Sequence, residues 1–141
     1  MIEAPQPRIT AINRPFWEGC RAGKLMLQRC GEVGCGRFVF YPRVCCPYCG
    51  GGRLDWQQAS GEGRLQSWAV IHRPGHAAFA AEVPYVFAAV ALAEGPLMYG
   101  RVLAPPDAPS LAIGAALRIV FPAVASGVVM PAFVPVGNVP S

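Results

Sequence analysis

Of the six cysteines in this chain, four are spaced as metal knuckles: Cys30-x4-Cys35 and Cys46-x2-Cys49. A tetrahedral zinc site takes four thiolates at about 2.3 Å from one ion, and a sequence-local pair delivers two of them from a single tight turn. Pro47 sets one backbone angle inside the second knuckle, and Gly50 and Gly51 permit left-handed backbone at its exit. The first knuckle is longer than the commonest spacing but within the range zinc tolerates, and Gly31 and Gly34 ease the wider turn. The predicted ligands are therefore Cys30, Cys35, Cys46 and Cys49, with structural zinc as cofactor. Iron is the alternative, because a four-thiolate cage accepts either metal. Cys45 abuts a ligand and could replace Cys46, though two-residue spacing favours Cys46 with Cys49. Cys20 falls in a predicted helix and is read as a packing residue.

Buried or disulfide-bonded cysteines are the competing account, and free cysteine does bury readily. Disulfides suit secreted chains, however, and Met1-Ile2-Glu3-Ala4-Pro5 lacks a basic segment followed by an apolar one. A reducing cytoplasm is the expectation. Nothing else in the chain assembles into catalytic machinery. His72 and His76 stand four apart, but Pro74 and Gly75 between them argue for a loop, and neither has a nucleophile partner. Four thiolates close a zinc site against water, and no base is evident to activate Cys20 or Cys45. A non-catalytic chain is predicted.

At 141 residues the chain accommodates one domain or two small ones closely joined. A ribbon of roughly 35 residues cannot bury a sufficient core, so metal must supply its folding energy. Apolar residues make up 53% and charged residues only 14%, against a usual charged share of about 25%. Such a chain is expected to hide surface against a partner. The formal net charge of +4 resides in residues 1–64, and residues 65–141 are neutral. Four thiolates on one dication lower the total by about two. Residues Ile119 to Ser141 carry no charge, but Pro122, Pro131, Pro135 and Pro140 punctuate them. Two buried strands joined at Ala125-Ser126-Gly127 account for that run better than a membrane helix.

Around the knuckles the pattern predicts a Pro-rich extended start, then a helix opening at Asn13-Arg14-Pro15 and closing near Gly23. Its Phe16 and Trp17 serve either the chain's own core or a partner. Strands are predicted over Leu25–Arg29, Phe38–Pro42 and Arg53–Trp56, with a hinge at Ser60-Gly61-Glu62-Gly63. Five more follow, roughly at Gly63–His72, Tyr85–Glu94, Leu97–Leu103, Leu117–Ala123 and Gly127–Val134. In Tyr85–Glu94 the two alternating sets, Val86/Ala88/Val90/Leu92 and Phe87/Ala89/Ala91/Ala93, are both apolar, which predicts burial on both sides. The fold class is mainly β: an N-terminal helix (residues 1–24 with the preceding extension), a rubredoxin-like zinc ribbon (25–60) and a five-stranded OB-fold barrel (61–141).

Phe16-Trp17-Glu18-Gly19, Leu27-Gln28-Arg29-Cys30, Cys46-Pro47-Tyr48-Cys49-Gly50, His72-Arg73-Pro74 and Pro84-Tyr85-Val86 occur in this order and together resemble the DUF35 family, over about Arg14 to Phe133. The lengthened first knuckle and Cys45 depart from its pattern. The resemblance implies a zinc ribbon joined to an OB-fold, without catalysis of its own. It implies an accessory subunit in a hetero-oligomer with a thiolase- or acyltransferase-like catalytic subunit, acting on a CoA thioester held through that partner. Arg73 would then meet a CoA phosphate as a bidentate donor, or stand as a solvated loop residue. The alternative function is single-stranded nucleic-acid binding, which both modules can perform. Against it, the barrel's cations are Arg73, Arg101 and Arg118, balanced by as many acids, weak electrostatics for a phosphate chain.

Overall fold

The computed structural model describes residues 4–124 and 127–136. Helix α1 (Arg14–Arg21) begins with Pro15 in its first turn, where a missing N–H costs nothing. Asn13 does not cap it through its side chain. That amide instead accepts from the Thr10 N–H (2.7 Å) and donates to the Arg8 carbonyl (3.0 Å), so the preceding turn is built from the same residue. The helix stops at Gly23, whose φ is +75°. Its N–H reaches the Cys20 carbonyl and the Lys24 N–H reaches that of Gly19, at 3.2 and 2.8 Å, the paired bonds of a Schellman ending. Gly19 is buried against the next strand: a Cβ there would lie 2.6 Å from Met26 Cγ and 2.8 Å from the Lys24 oxygen.

Three short antiparallel strands form the ribbon, with β1 (Met26–Cys30) between β2 (Phe38–Val39) and β3 (Leu54–Gln58). The second is shorter than the predicted Phe38–Pro42. Pro42 has no N–H to give a ladder, and the backbone of Arg43 is taken by the Gln28 side chain instead. The remaining strands are β4 (Glu62–Ile71), β5 (Tyr85–Leu92), β6 (Leu97–Val102), β7 (Ala116–Val120) and β8 (Ala132–Pro135). They close a barrel in the order β4-β5-β6-β8-β7, with β6 and β8 parallel. This is the five-stranded Greek-key barrel expected. A bulge between Leu65 and Ser67 bends β4.

Prolines decide where the last strands end. β7 stops before Pro122, short of the predicted Ala123, and β8 starts only after Pro131, not at Gly127. Before β8, the Val128 N–H bonds to Gln6 Oε1 at 2.8 Å, so a side chain of the N-terminal segment satisfies this backbone donor. The turn predicted at Ala125-Ser126-Gly127 falls partly outside the described residues. Among the described residues no helix is long and apolar enough to cross a membrane.

One core joins the two parts. Phe16 and Cys20 of α1, Leu25 and Leu27 beside them, and Ala59 cluster with Leu65, Val86, Val90, Met98, Leu117 and Phe133 of the barrel. Phe16 is therefore a core residue, and Trp17 packs edge-on against it at 4.8 Å. A second, small cluster of Cys30, Val39 and Cys46 sits at the knuckles. The segment predicted as a hinge is tied down. Ser60 N–H donates to Glu94 Oε2, the Gly61 carbonyl accepts from Ile119 and that of Glu62 from Ala93, at 2.8, 2.8 and 2.9 Å. The double-sided burial predicted for β5 holds only in part: on the outward row Ala89 is buried and Ala91 half-buried. Val86, Ala88, Val90 and Leu92 fill the barrel, while Phe87 on the opposite face is exposed.

Candidate metal centre

The four predicted cysteines converge. Cys30 ends β1 and pairs across the ladder with Leu54; its N–H bonds to the Arg37 carbonyl, and the next residue's N–H to that of Arg53. The segments leaving the first and the second knuckle are thereby both held at the base of the first. Gly34 and Gly36, at φ +84° and +67°, carry the backbone round to Cys35, whose N–H returns to the Glu32 carbonyl. In the second knuckle the Gly50 N–H bonds to the Cys46 carbonyl and the Cys46 N–H to that of Gly51, each at 2.8 Å. Gly50 takes the left-handed conformation at φ +78°, and Gly51 does not.

The sulfurs fit a tetrahedral ion. All four Sγ atoms lie within 4.8 Å of one another, with Cys30–Cys49 at 3.6 Å and Cys35–Cys46 at 3.7 Å. A tetrahedron of thiolates about 2.3 Å from its centre has edges of about 3.8 Å. Backbone amides point at two of the sulfurs: Tyr48 N–H donates to Cys46 Sγ and Gly51 N–H to Cys49 Sγ, both at 3.4 Å. Such bonds orient ligands and spread their charge. Crowding sets the order of ionisation. At Cys46 burial raises the pKa, but the amides of Cys49 and Tyr48 and the neighbouring thiols outweigh it and bring it down to about 7. At Cys30 the Glu32 amide favours the thiolate, yet burial and the thiols of Cys49, Cys35 and Cys46 push it up to about 12. Cys46 thus ionises readily while Cys30 and Cys49 resist, the situation a dication relieves.

Gln28 is the residue that spacing could not single out. Its amide donates to the Arg43 carbonyl at 2.9 Å and accepts the Arg43 N–H at 2.7 Å, while the side chain is 5% exposed. It straps the chain entering the second knuckle to the strand that ends in Cys30. The other candidates lie elsewhere. Cys45 is exposed and outside the sulfur cluster. Cys20 is buried in the core, and burial pushes its thiol up to about 12, so it stays protonated. Arg73 is exposed on the bend after β4, with no hydrogen bond or ion pair to it among the described residues. His76 caps the short 3-10 turn Ala77–Phe79, its Nδ1 accepting the Ala78 N–H at 3.0 Å.

Comparison with known proteins agrees with this geometry. Residues 17–55 match the family model described as the ChsH2 rubredoxin-like zinc ribbon domain, and residues 56–122 that of the ChsH2 C-terminal OB-fold domain. A probable enoyl-CoA hydratase alpha subunit of Thermomonospora curvata is 40% identical over 91 residues, 64% of this chain and 27% of the relative. A DUF35 domain-containing scaffold protein of Methanothermobacter thermautotrophicus is 37% identical over 89 residues, 62% of this chain and 65% of the relative. The matched region thus spans less than two thirds of these relatives' length. A solved structure titled Ltp2-ChsH2(DUF35) aldolase superposes with a TM-score of 0.79 at 32% identity, covering 94% of this chain and all of that one. The chain, with its four-cysteine ribbon and five-stranded barrel, belongs to the DUF35 family.

Proposed function

We propose that this chain is a non-catalytic, zinc-stabilised scaffold subunit of a cytoplasmic complex that processes acyl-CoA thioesters. In this reading it bridges and stabilises catalytic subunits of aldolase, hydratase, thiolase or acyltransferase type. The observation that carries it is the end-to-end likeness to a chain from a structure titled as an aldolase, supported by a relative named as a scaffold protein. The chemistry of the site agrees: four thiolates around one ion leave no open position for substrate. Zinc on Cys30, Cys35, Cys46 and Cys49 would hold the ribbon folded and do nothing to the substrate. We assign the helix with its extension to residues 1–24, the ribbon to 25–60 and the barrel to 61–141. Arg73, exposed on the bend after β4, is the residue assigned to a CoA phosphate.

The test is affinity purification of the tagged chain from its native host, followed by assay of the recovered complex on acyl-CoA substrates. A stoichiometric companion with acyl-CoA lyase, hydratase or thiolase activity, and no activity in the chain alone, is expected. Recovery of a lone monomer would overturn the proposal. Arg73→Ala should raise the KM for the CoA thioester in that complex without changing its assembly; an unchanged KM removes Arg73 from the site.

A further inference from the structure

Counted along the barrel, β5 and β6 are its second and third strands, and residues 72–84 form the loop between its first two. In five-stranded barrels of this topology, ligands are held on that face and by that loop. Two aromatic rings stand there. Phe87 and Tyr99 are 42% and 50% exposed and lie parallel, 9° between planes and 6.3 Å between centroids. Small residues flank them across the ladders: Ala69 faces Phe87, and buried Ala89 faces Tyr99. Arg101 also pairs with Phe87, but its guanidinium is committed elsewhere. It lies 3.8 Å over the Tyr85 ring and 5.2 Å over that of Phe79, and it is ion-paired to Glu82. These contacts fasten the loop to the edge of the aromatic face.

Charge and shape select the ligand. Arg73 of that loop is exposed, with no ion pair or hydrogen bond among the described residues. Glu82 is taken up by Arg101, and Arg64, outward on β4, donates to the Gly114 carbonyl. One free cation beside two stackable rings suits one phosphate joined to one base. A nucleic-acid chain needs a row of such cations, and a sugar needs polar side chains where Ala69 and Ala89 stand. Ile71 pairs with Tyr85 and Ala69 with Phe87, so Arg73 follows at the loop end of the same face. At the rise of an extended chain it lies about 13 Å from the Phe87 row, a span its own side chain shortens. We propose that Phe87 and Tyr99 stack the adenine ring of a CoA thioester while Arg73 holds a phosphate of the same nucleotide. Stacking accepts any base; the choice of adenine rests on the acyl-CoA reading above, to which the inference adds the surface that receives the nucleotide.

The experiment titrates the purified, zinc-loaded chain with free CoA, adenosine 3′,5′-bisphosphate and pantetheine by calorimetry. CoA and the bisphosphate should bind alike, and pantetheine, which lacks the nucleotide, should not bind. Phe87→Ala and Tyr99→Ala should each weaken CoA binding about tenfold, as loss of a stacking ring does, with zinc content and melting temperature unchanged. Ile113→Ala, on a residue 71% exposed outside this face, should bind as wild type. Added salt should weaken CoA binding less in Arg73→Ala than in wild type, because one phosphate contact is gone. A wild-type chain that binds no CoA, or ring variants that bind it as well as wild type, overturns this inference and leaves the scaffold reading to its own co-purification test. CoA bound through these rings by a chain that recovers no companion keeps the site and overturns the scaffold reading. An oligonucleotide or a neutral oligosaccharide held more tightly than CoA, and released by Tyr99→Ala, refutes the proposal.

Discussion

Replacing Gln28 by leucine tests whether the ribbon's metal affinity depends on a residue that never touches the metal. Leucine matches the buried volume but removes both bonds to the Arg43 backbone, 2.9 and 2.7 Å long. Each such bond contributes about 1 kcal/mol net, and more when its partner is left unpaired away from water. The Arg43 side chain is exposed, so its backbone regains part of its hydration, and the pair is worth about 2 kcal/mol. Because ribbon folding and metal binding are one equilibrium, that loss appears as zinc affinity weakened about 30-fold, at 1.4 kcal/mol per decade. It also appears as a melting temperature lowered by about 4–8 °C in a chain of this size. Competition with a chromophoric chelator and calorimetric melting read the two quantities. Gln28→Glu should be worse than leucine, since it keeps the acceptor, loses the donor and buries a charge beside four thiolates. A leucine variant that holds zinc within about threefold of wild type would refute the strap, because it would place the whole energy of the knuckle in its sulfurs and amides.

Elemental analysis should find one zinc per chain, lost in Cys46→Ala and retained in Cys45→Ser. A Cys45→Ser protein without metal would redraw the ligand set. In the native protein a thiol reagent should modify exposed Cys45 and spare Cys20, whose thiol is 1% exposed and pushed up to about 12; Cys20 should react only on unfolding. Gly19→Ala should destabilise. Alanine would gain about 1 kcal/mol of helix propensity, but its Cβ meets Met26 Cγ at 2.6 Å and the Lys24 oxygen at 2.8 Å, an overlap worth about 1–3 kcal/mol. A raised denaturant midpoint would refute that packing.

Sequence spacing revealed the sulfur cluster because its ligands come in local pairs, each closed by glycine-bearing turns such as Gly34 and Gly50. Alternation likewise revealed the five barrel strands, since inward Val86, Val90 and Leu117 recur at period two. Three features escaped for physical reasons. A glutamine in mid-strand reads as solvent-facing, and Gln28 is buried only because a backbone segment fifteen residues on offers it both a donor and an acceptor. Strand ends were overrun where a proline removes a ladder donor, as at Pro42, Pro122 and Pro131. The third is the outer face of β5. An apolar row does not say how much of it the same chain covers, and here Ala89 is buried while Phe87 is exposed.

The way the two modules are joined bears on what a scaffold must do. The knuckle cluster of Cys30, Val39 and Cys46 is too small to hold a ribbon by burial alone, so the metal supplies that part of the folding energy. The orientation of the ribbon comes from elsewhere. Phe16 and Cys20 enter the barrel's core from α1, Leu27 from β1 and Leu25 from just before it. The Ser60–Glu62 joint is bonded to Glu94, Ala93 and Ile119. At Gly61, φ +80°, a side chain would collide with Ile119, so the joint is shaped to the barrel as well as bonded to it. A flexible tether would let two docking surfaces sample many separations and lower the effective concentration of one for its partner. A shared core and a bonded joint hold their separation constant. Metal and barrel then act on one body: metal on the four cysteines keeps the ribbon in shape, and the barrel holds the angle at which that shape is presented.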